Sequence, residues 1–313
     1  MIVLLVTFLA ALLCPVHIVE SSSMKWCYHE PACNSTTWSQ TYPHSCNGSR
    51  QSPINIVTTS VQGNSNLTSF NFTGFDDNST FLRINNTGES VEVTLNGKMT
   101  VQGGDLPGIY NPVQFHLHWG NGSASPGSEH TVDGKQYSME LHILNVHSKY
   151  NRNVEAARAA NDSTGLAALS FLIEGTNEQN KTKSWGILTS FLTQIPSSGD
   201  TTTNIMNQIS MNSLLEGVDR TKYYRYRGSI TIPNCNEVVI WTVFKDPIKV
   251  SQDLINRFST TTFFKASPSV LMTNNFRGVQ PLNGRVVTSQ PSSAATHTIS
   301  IITVLLLSSL CWL

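Results

Sequence analysis

One stretch constrains this chain more than any other: Gln114-Phe115-His116-Leu117-His118-Trp119-Gly120. Its apolar and polar residues alternate strictly, which is the pattern of a half-buried strand. Gln114, His116 and His118 fall on one face, and Phe115, Leu117 and Trp119 on the other. Two imidazoles at i and i+2 point the same way. Their nitrogens can therefore meet one metal ion at about 2.0–2.1 Å without backbone strain, while the opposite face buries in a core. Taken alone, the pair could equally be two surface histidines.

A second alternating stretch, Ser138-Met139-Glu140-Leu141-His142-Ile143-Leu144, follows the triplet Ser128-Glu129-His130. Here Glu140, His142 and Leu144 share a face. His142 can supply a third nitrogen. Glu140 can bind the spare N–H of a ligating imidazole and hold its tautomer, and Gln114 is spaced to do the same on the first strand. Three histidines with no cysteine or carboxylate ligand leave the fourth position on a zinc ion open, as catalytic sites do.

At 313 residues the chain can hold one large domain or two. Its formal net charge is zero and 13% of its residues are charged, so nothing points to nucleic acid as a partner. Residues 1–23 carry the apolar run Ile2–Leu13 and read as a cleaved secretory signal. N-x-S/T triplets at Asn34, Asn47, Asn66, Asn71, Asn78, Asn85, Asn121, Asn161 and Asn180 suit a glycoprotein of the secretory pathway. Cys14 and Cys311 lie in the terminal apolar segments, which leaves Cys27, Cys33, Cys46 and Cys235. An even number in an oxidising compartment suggests two disulfides, with three pairings open and free buried thiols as the alternative. Residues 289–313 combine a small-residue linker with an apolar tail that no Lys or Arg follows. They read as a GPI-attachment signal with Ser292 or Ser293 as the attachment site, against a single-pass anchor as the alternative.

Strand-like runs dominate between the termini: Ser90–Val101, Gln114–Gly120, Ser138–His147, Leu166–Glu174, Tyr226–Ile232 and Val238–Phe244. Helical spacing occurs at Trp185, Leu188, Phe191, Leu192 and Ile195, and again at Leu254, Ile255 and Phe258 behind a candidate N-cap at Ser251. The expected architecture is mainly β, one large sheet with peripheral helices.

The segments QFHLHWG, SEHTVDGK and MELHIL closely resemble the α-class carbonic anhydrases, as do Arg50–Ile56 (RQSPINI) and Tyr226–Pro233 (YRGSITIP). The resemblance runs in the family's order from about Trp26 to about Arg285. The chain ends and cysteine spacing look like the secreted, GPI-anchored, type-IV-like branch. It implies one catalytic domain over residues 24–288, built on a twisted, mostly antiparallel ten-stranded sheet. It also implies reversible hydration of carbon dioxide to bicarbonate by a zinc enzyme on the extracellular face of the plasma membrane. Zn2+ would be held by His116, His118 and His142, with Gln114 and Glu140 behind them, and with pairings Cys27–Cys33 and Cys46–Cys235. Thr231 and Glu129 would orient a zinc hydroxide nucleophile. Leu144, Ala168, Ile230 and Trp241 would wall an apolar substrate pocket, and His130 would be a structural hydrogen-bonder.

The chain departs from the family at two places. Ile232 stands where many relatives carry a hydroxyl or imidazole. Glu89 stands at the proton-shuttle position, where fast relatives have histidine, with His29 as a conceivable substitute. The expected partners are carbon dioxide, bicarbonate and, through the anchor, the lipid bilayer, with bicarbonate transporters as a further class left open. Two rival functions would each leave a mark in the sequence. A slow or acatalytic surface-binding module would be marked by loss of a zinc histidine, and all three are present. A zinc peptidase would be marked by H-E-x-x-H, which is absent.

Overall fold

The computed structural model describes residues 26–178 and 183–291. The expected signal segment, the GPI linker beyond residue 291 and the Asn180 sequon lie outside the described residues.

Seven strands build the part of the sheet that matters for the site: β1 (Phe81–Asn86), β2 (Val91–Leu95), β3 (Tyr110–Trp119), β4 (Met139–His147), β5 (Leu166–Thr176), β6 (Tyr223–Gly228) and β7 (Val239–Ser251). They lie in the order β1-β2-β3-β4-β5-β7-β6. Short strands extend both ends, Thr201–Thr202 beside β1, and Thr288–Ser289 then Gln62–Gly63 beside β6. That path matches the expected ten strands. A further pair, Phe70–Thr73 with Thr100–Gly103, joins at Val101 opposite Tyr110 and brings the sheet to 12. All pairings among β1–β7 are antiparallel except β5 with β7.

The alternation read from the sequence becomes two buried faces. Phe115, Leu117 and Trp119 of β3 join Met139, Leu141 and Ile143 of β4 and Leu169, Phe171 and Ile173 of β5 in one apolar core. Each such fully buried side chain contributes about 1.5–3 kcal/mol. Helices α1 (Lys183–Ser190) and α2 (Gln252–Thr261) cover this side with Trp185, Leu188, Ile255 and Phe258. Because the side-chain period is two, the partners of those residues must face the other way, where a smaller core forms around Ala168, Leu172, Tyr226 and Trp241.

Three local expectations are corrected. The run Ser90–Val101 is not one strand, because Asn96 accepts from the Lys98 N–H at 3.0 Å and turns the chain between β2 and Thr100–Gly103. The run Tyr226–Ile232 ends as a strand at Gly228. There a Cβ would lie 2.1 Å from Ser52 Oγ, and only glycine lets that segment approach so closely. Ser251 does occupy the N-cap position of α2, but its hydroxyl bonds the Asp253 carboxylate instead of a backbone N–H.

Both disulfides form as the resemblance implied, Cys27–Cys33 and Cys46–Cys235. The second joins residues 189 apart and packs with Trp38 and Ile232. Closing so long a loop constrains the unfolded chain strongly. The double variant Cys46→Ser/Cys235→Ser is therefore expected to lose about 2–5 kcal/mol of stability, read as a lower guanidinium midpoint. An unchanged midpoint would mean that the native contacts alone hold this loop.

Candidate active site

The inner face of the sheet carries the histidines in register. His116 stands opposite His142, and His118 opposite Glu140. The His116 row continues to Glu92 on β2 and Ser170 on β5. The next row runs from Gln114 through Leu144 and Ala168 to Trp241. The three imidazole rings are mutual neighbours, with centroids 4.7 to 5.3 Å apart.

Each ring is held by one nitrogen. His118 Nδ1 lies 2.8 Å from the Asn275 carbonyl oxygen, which can only accept, so Nδ1 carries the proton and Nε2 a lone pair. His142 Nε2 lies 2.6 Å from Glu140 Oε1, leaving Nδ1 with the lone pair. His116 Nδ1 lies 2.9 Å from Gln114 Oε1, leaving Nε2. Burial lowers the pKa of all three, His118 to about 4, so all are neutral at pH 7. The consequence is a contact between two lone pairs, His118 Nε2 and His142 Nδ1, at 3.2 Å. Such a pair repels unless a cation lies between. The separation approaches the edge of a tetrahedron of nitrogens around zinc, roughly 3.3–3.4 Å for bonds of about 2.0–2.1 Å. The three residues could hold a metal ion, and three neutral imidazoles suit zinc.

Glu140 is the hub behind this cluster. Oε1 accepts from His142 Nε2, His130 Nδ1 and Ser170 Oγ, at 2.6, 2.6 and 2.5 Å. Oε2 accepts from the Glu129 and His130 backbone N–H groups at 2.8 and 2.7 Å. Burial alone would raise its pKa, but the His130 and His142 rings and their hydrogen bonds prevail and hold it well below the usual carboxylate range. His130, Glu140 and His142 also cluster closely enough to suggest a second metal group. Their facing atoms are already joined by hydrogen bonds, so this trio is a brace. His130 completes it by reaching the Tyr226 hydroxyl at 2.6 Å.

Glu129 is 1% exposed. Its Oε1 accepts the Arg277 backbone N–H at 2.8 Å. Its Oε2 has no hydrogen-bond partner and faces His118 Nε2 at 3.6 Å and His142 Nδ1 at 3.9 Å. Burial pushes this carboxyl up to about 7; the His142 ring, the Arg277 bond and, more weakly, the Thr231 hydroxyl draw it down. A buried carboxylate oxygen aimed at converging lone pairs is a second sign of a cation position. Above it opens a cavity of about 340 Å³, whose walls include Leu144, Ala168, Ile230, Thr231, Ile232 and Trp241. Trp241 packs on both His130 and His142, each 4.8 Å away, and its Nε1 bonds the Ser229 carbonyl at 2.9 Å.

A family model described as eukaryotic-type carbonic anhydrase matches residues 33–291. The chain belongs to the eukaryotic-type carbonic anhydrase family. It is 36% identical over 285 residues to carbonic anhydrase 4 of Mus musculus, covering 89% of each chain. It is 39% identical over 269 residues to carbonic anhydrase 12 of Homo sapiens, covering 84% of this chain and 72% of the relative. It is 35% identical over 267 residues to human carbonic anhydrase 6, covering 84% and 82%. As a member of this family the protein is a carbonate dehydratase, and its zinc dependence is a family property that the histidine trio can meet.

Within this carbonic anhydrase the histidines, Gln114, Glu140, Thr231 and the four expected wall residues come together at one cavity or directly behind it. Glu89 also lines it, on the turn before β2, where Asn275 Nδ2 holds the Glu89 carbonyl at 3.0 Å. His29 does not line this cavity. Its ring stacks on Phe264 at 4.4 Å beside a neighbouring pocket, and the two pockets share Tyr28, Thr87 and Glu89. Sequence reasoning missed Asn275, Arg277 and Glu92. Asn275 braces β3 through its side chain as well, accepting from the Trp119 N–H at 2.8 Å. Arg277 reaches Gln51, Ser52 and Cys46 with its guanidinium, tying the disulfide loop to Glu129. Both sit in an irregular segment without periodicity, so only their contacts in the folded protein reveal them. Glu92 was legible in principle, since it alternates with Val91 and Val93; burial raises its pKa inside the cavity.

Proposed function

We propose that this carbonic anhydrase carries out zinc-dependent, reversible hydration of carbon dioxide at the extracellular face of the plasma membrane, held there by a GPI anchor. The observation that carries the site assignment is the convergence of three neutral imidazole lone pairs beneath an apolar-walled cavity. When bound by His116, His118 and His142, zinc supplies a water acidified to a pKa of about 7. Gln114, the Asn275 carbonyl and Glu140 fix the three tautomers, so the rings need no reorganisation to bind.

Thr231 has one hydroxyl proton to give. Glu129 Oε1 is occupied by Arg277, so the free Oε2 is the acceptor reserved for that proton. With its proton committed there, Thr231 Oγ1 presents only lone pairs to the attacking water and fixes its orientation. Glu129 must be ionised for this, and a cation at the histidines favours that form. Carbon dioxide is uncharged, and Leu144, Ala168, Ile230 and Trp241 offer it an apolar wall from which water is displaced at little cost. Ile232 extends that wall and leaves bicarbonate without a side-chain donor there. The test is carbon dioxide hydration by the purified protein before and after treatment with a zinc chelator. Activity that vanishes with the metal and returns with zinc is expected; full activity in metal-free protein would defeat the reading.

Support for the location comes from several sides. Two disulfides belong in an oxidising compartment. The acceptor residues Asn47, Asn66, Asn71, Asn78, Asn121 and Asn161 are exposed, as glycosylation requires. Among the described residues no helix is long and apolar enough to cross a membrane. With Ser292 or Ser293 as the attachment site, phosphatidylinositol-specific phospholipase C is expected to release the protein from cells that display it. Retention under conditions that free a known GPI-anchored protein would refute the anchor.

A further inference from the structure

A second cavity, of about 570 Å³, shares no lining residue with the histidine cavity. Arg50, Arg225, Arg227 and Arg285 line it, and Asp105 is its one lining carboxylate. The concentration follows from strand geometry. On β6, Tyr224 and Tyr226 face the inner core, so Arg225 and Arg227 share the opposite face. The chain as a whole is formally neutral, so this is a local feature and not part of a generally basic surface.

The charges are poorly matched by the protein itself. Arg50 pairs with Glu237 at 3.4 Å. Among the described residues no carboxylate makes a salt bridge to Arg225, Arg227 or Arg285. Arg225 is 7% exposed, yet its Nε and Nη2 both donate to one neutral group, Thr242 Oγ1, at 3.2 and 3.0 Å. Its Nη1 donates to none of the described residues. Arg285 is positioned by three backbone carbonyls, those of Leu282, Arg227 and Pro281, and Arg227 by Ser163 Oγ. Asp105 favours the buried Arg225 guanidinium without making a salt bridge to it, so its desolvation is only partly offset, and an anion entering the cavity would offset more of that cost.

We propose that this cavity is a binding site for a phosphate-bearing anion. Guanidinium forks match phosphate oxygens in bidentate geometry, and several lining one cavity favour a tetrahedral anion, with its many acceptor oxygens, over a planar one. The volume suits a small ion or headgroup and not a polymer. Thr288 lines the cavity shortly before the anchor-type segment, so a phospholipid headgroup is one source of the phosphate and free phosphate the other. The inference does not depend on the hydration chemistry.

The test uses full-length protein recovered from expressing cells in a neutral detergent, titrated calorimetrically with inorganic phosphate and with glycerophosphoserine. Arg227→Gln and Arg285→Gln serve as variants, with carbon dioxide hydration as the check that they are folded. Binding that weakens about tenfold or more in both variants, at unchanged hydration activity, is expected. Tighter binding of phosphate identifies free phosphate as the source; tighter binding of glycerophosphoserine identifies the lipid headgroup. The proposal is overturned if neither probe binds the wild type, or if both variants bind as well as it does.

Discussion

His118→Ala is expected to abolish carbon dioxide hydration and stoichiometric zinc binding together. His118 is 2% exposed and offers its lone pair 3.2 Å from that of His142, with Nδ1 tied to Asn275. Alanine removes one of three nitrogens and leaves His116 and His142 as the remaining imidazoles. Altering a residue that merely supports a zinc ligand typically weakens metal binding 10–100-fold, so losing a ligand outright should exceed about 100-fold. Gln114→Ala removes only the brace on His116 Nδ1 and should fall within the smaller range. Zinc content after dialysis against a mild chelator, measured beside the hydration rate, separates the two variants. Circular dichroism checks that His118→Ala is folded, since the deletion also strands the Asn275 carbonyl. Full zinc and full rate in His118→Ala would exclude this ligand set.

Turnover limited by proton release is the second large expected effect. The proton lost by a water of pKa about 7 must leave the cavity, and a relay works best when its own pKa is close. Glu89 lines the cavity, and the family resemblance puts it at the position where fast members are expected to carry histidine. As a residue type a carboxylic acid is a stronger acid than an imidazolium by about two pKa units, so a carboxylate accepts a proton from such a water much less readily than histidine does. Without a relay, reprotonation near ~10¹⁰ M⁻¹s⁻¹ against a pKa of about 7 limits release to ~10³ s⁻¹, compared with about 10⁶ s⁻¹ for carbonic anhydrase with fast proton export. Glu89→His should therefore raise kcat in dilute buffer by about one to three orders of magnitude. Imidazole-type buffer should rescue the wild type and add little to the variant. His29→Ala should leave kcat unchanged, because that ring stacks on Phe264 beside the neighbouring pocket and pairs with Glu30 at 3.3 Å. Fast wild-type turnover in dilute buffer, with no gain in Glu89→His, would refute the missing relay. A selective loss in His29→Ala would reassign proton export to His29.

What the sequence determined by itself follows from the two-residue period of a strand. Gln114, His116 and His118 had to share a face, as did Glu140, His142 and Leu144, and a slip of one residue would turn the imidazoles into the apolar core and Phe115, Leu117 and Trp119 toward the cavity. That same alternation placed Arg225 and Arg227 together. The four cysteines left the pairing open, and it was the family resemblance that selected the bridges later seen.

Tertiary structure alone decided how these local pieces combine. Strand register set His116 against His142 and His118 against Glu140, which no single strand can specify. The carbonyl that selects the His118 tautomer and the N–H that occupies Glu129 come from Asn275 and Arg277, far along the chain in an irregular segment. Backbone groups are the same in every residue, so sequence carries no mark of which carbonyl or N–H will be used. Whether Glu140 stays ionised likewise depended on five donors from four residues, Glu129, His130, His142 and Ser170. A charge state is set by what surrounds a group in space, and only the folded sheet brings those surroundings together.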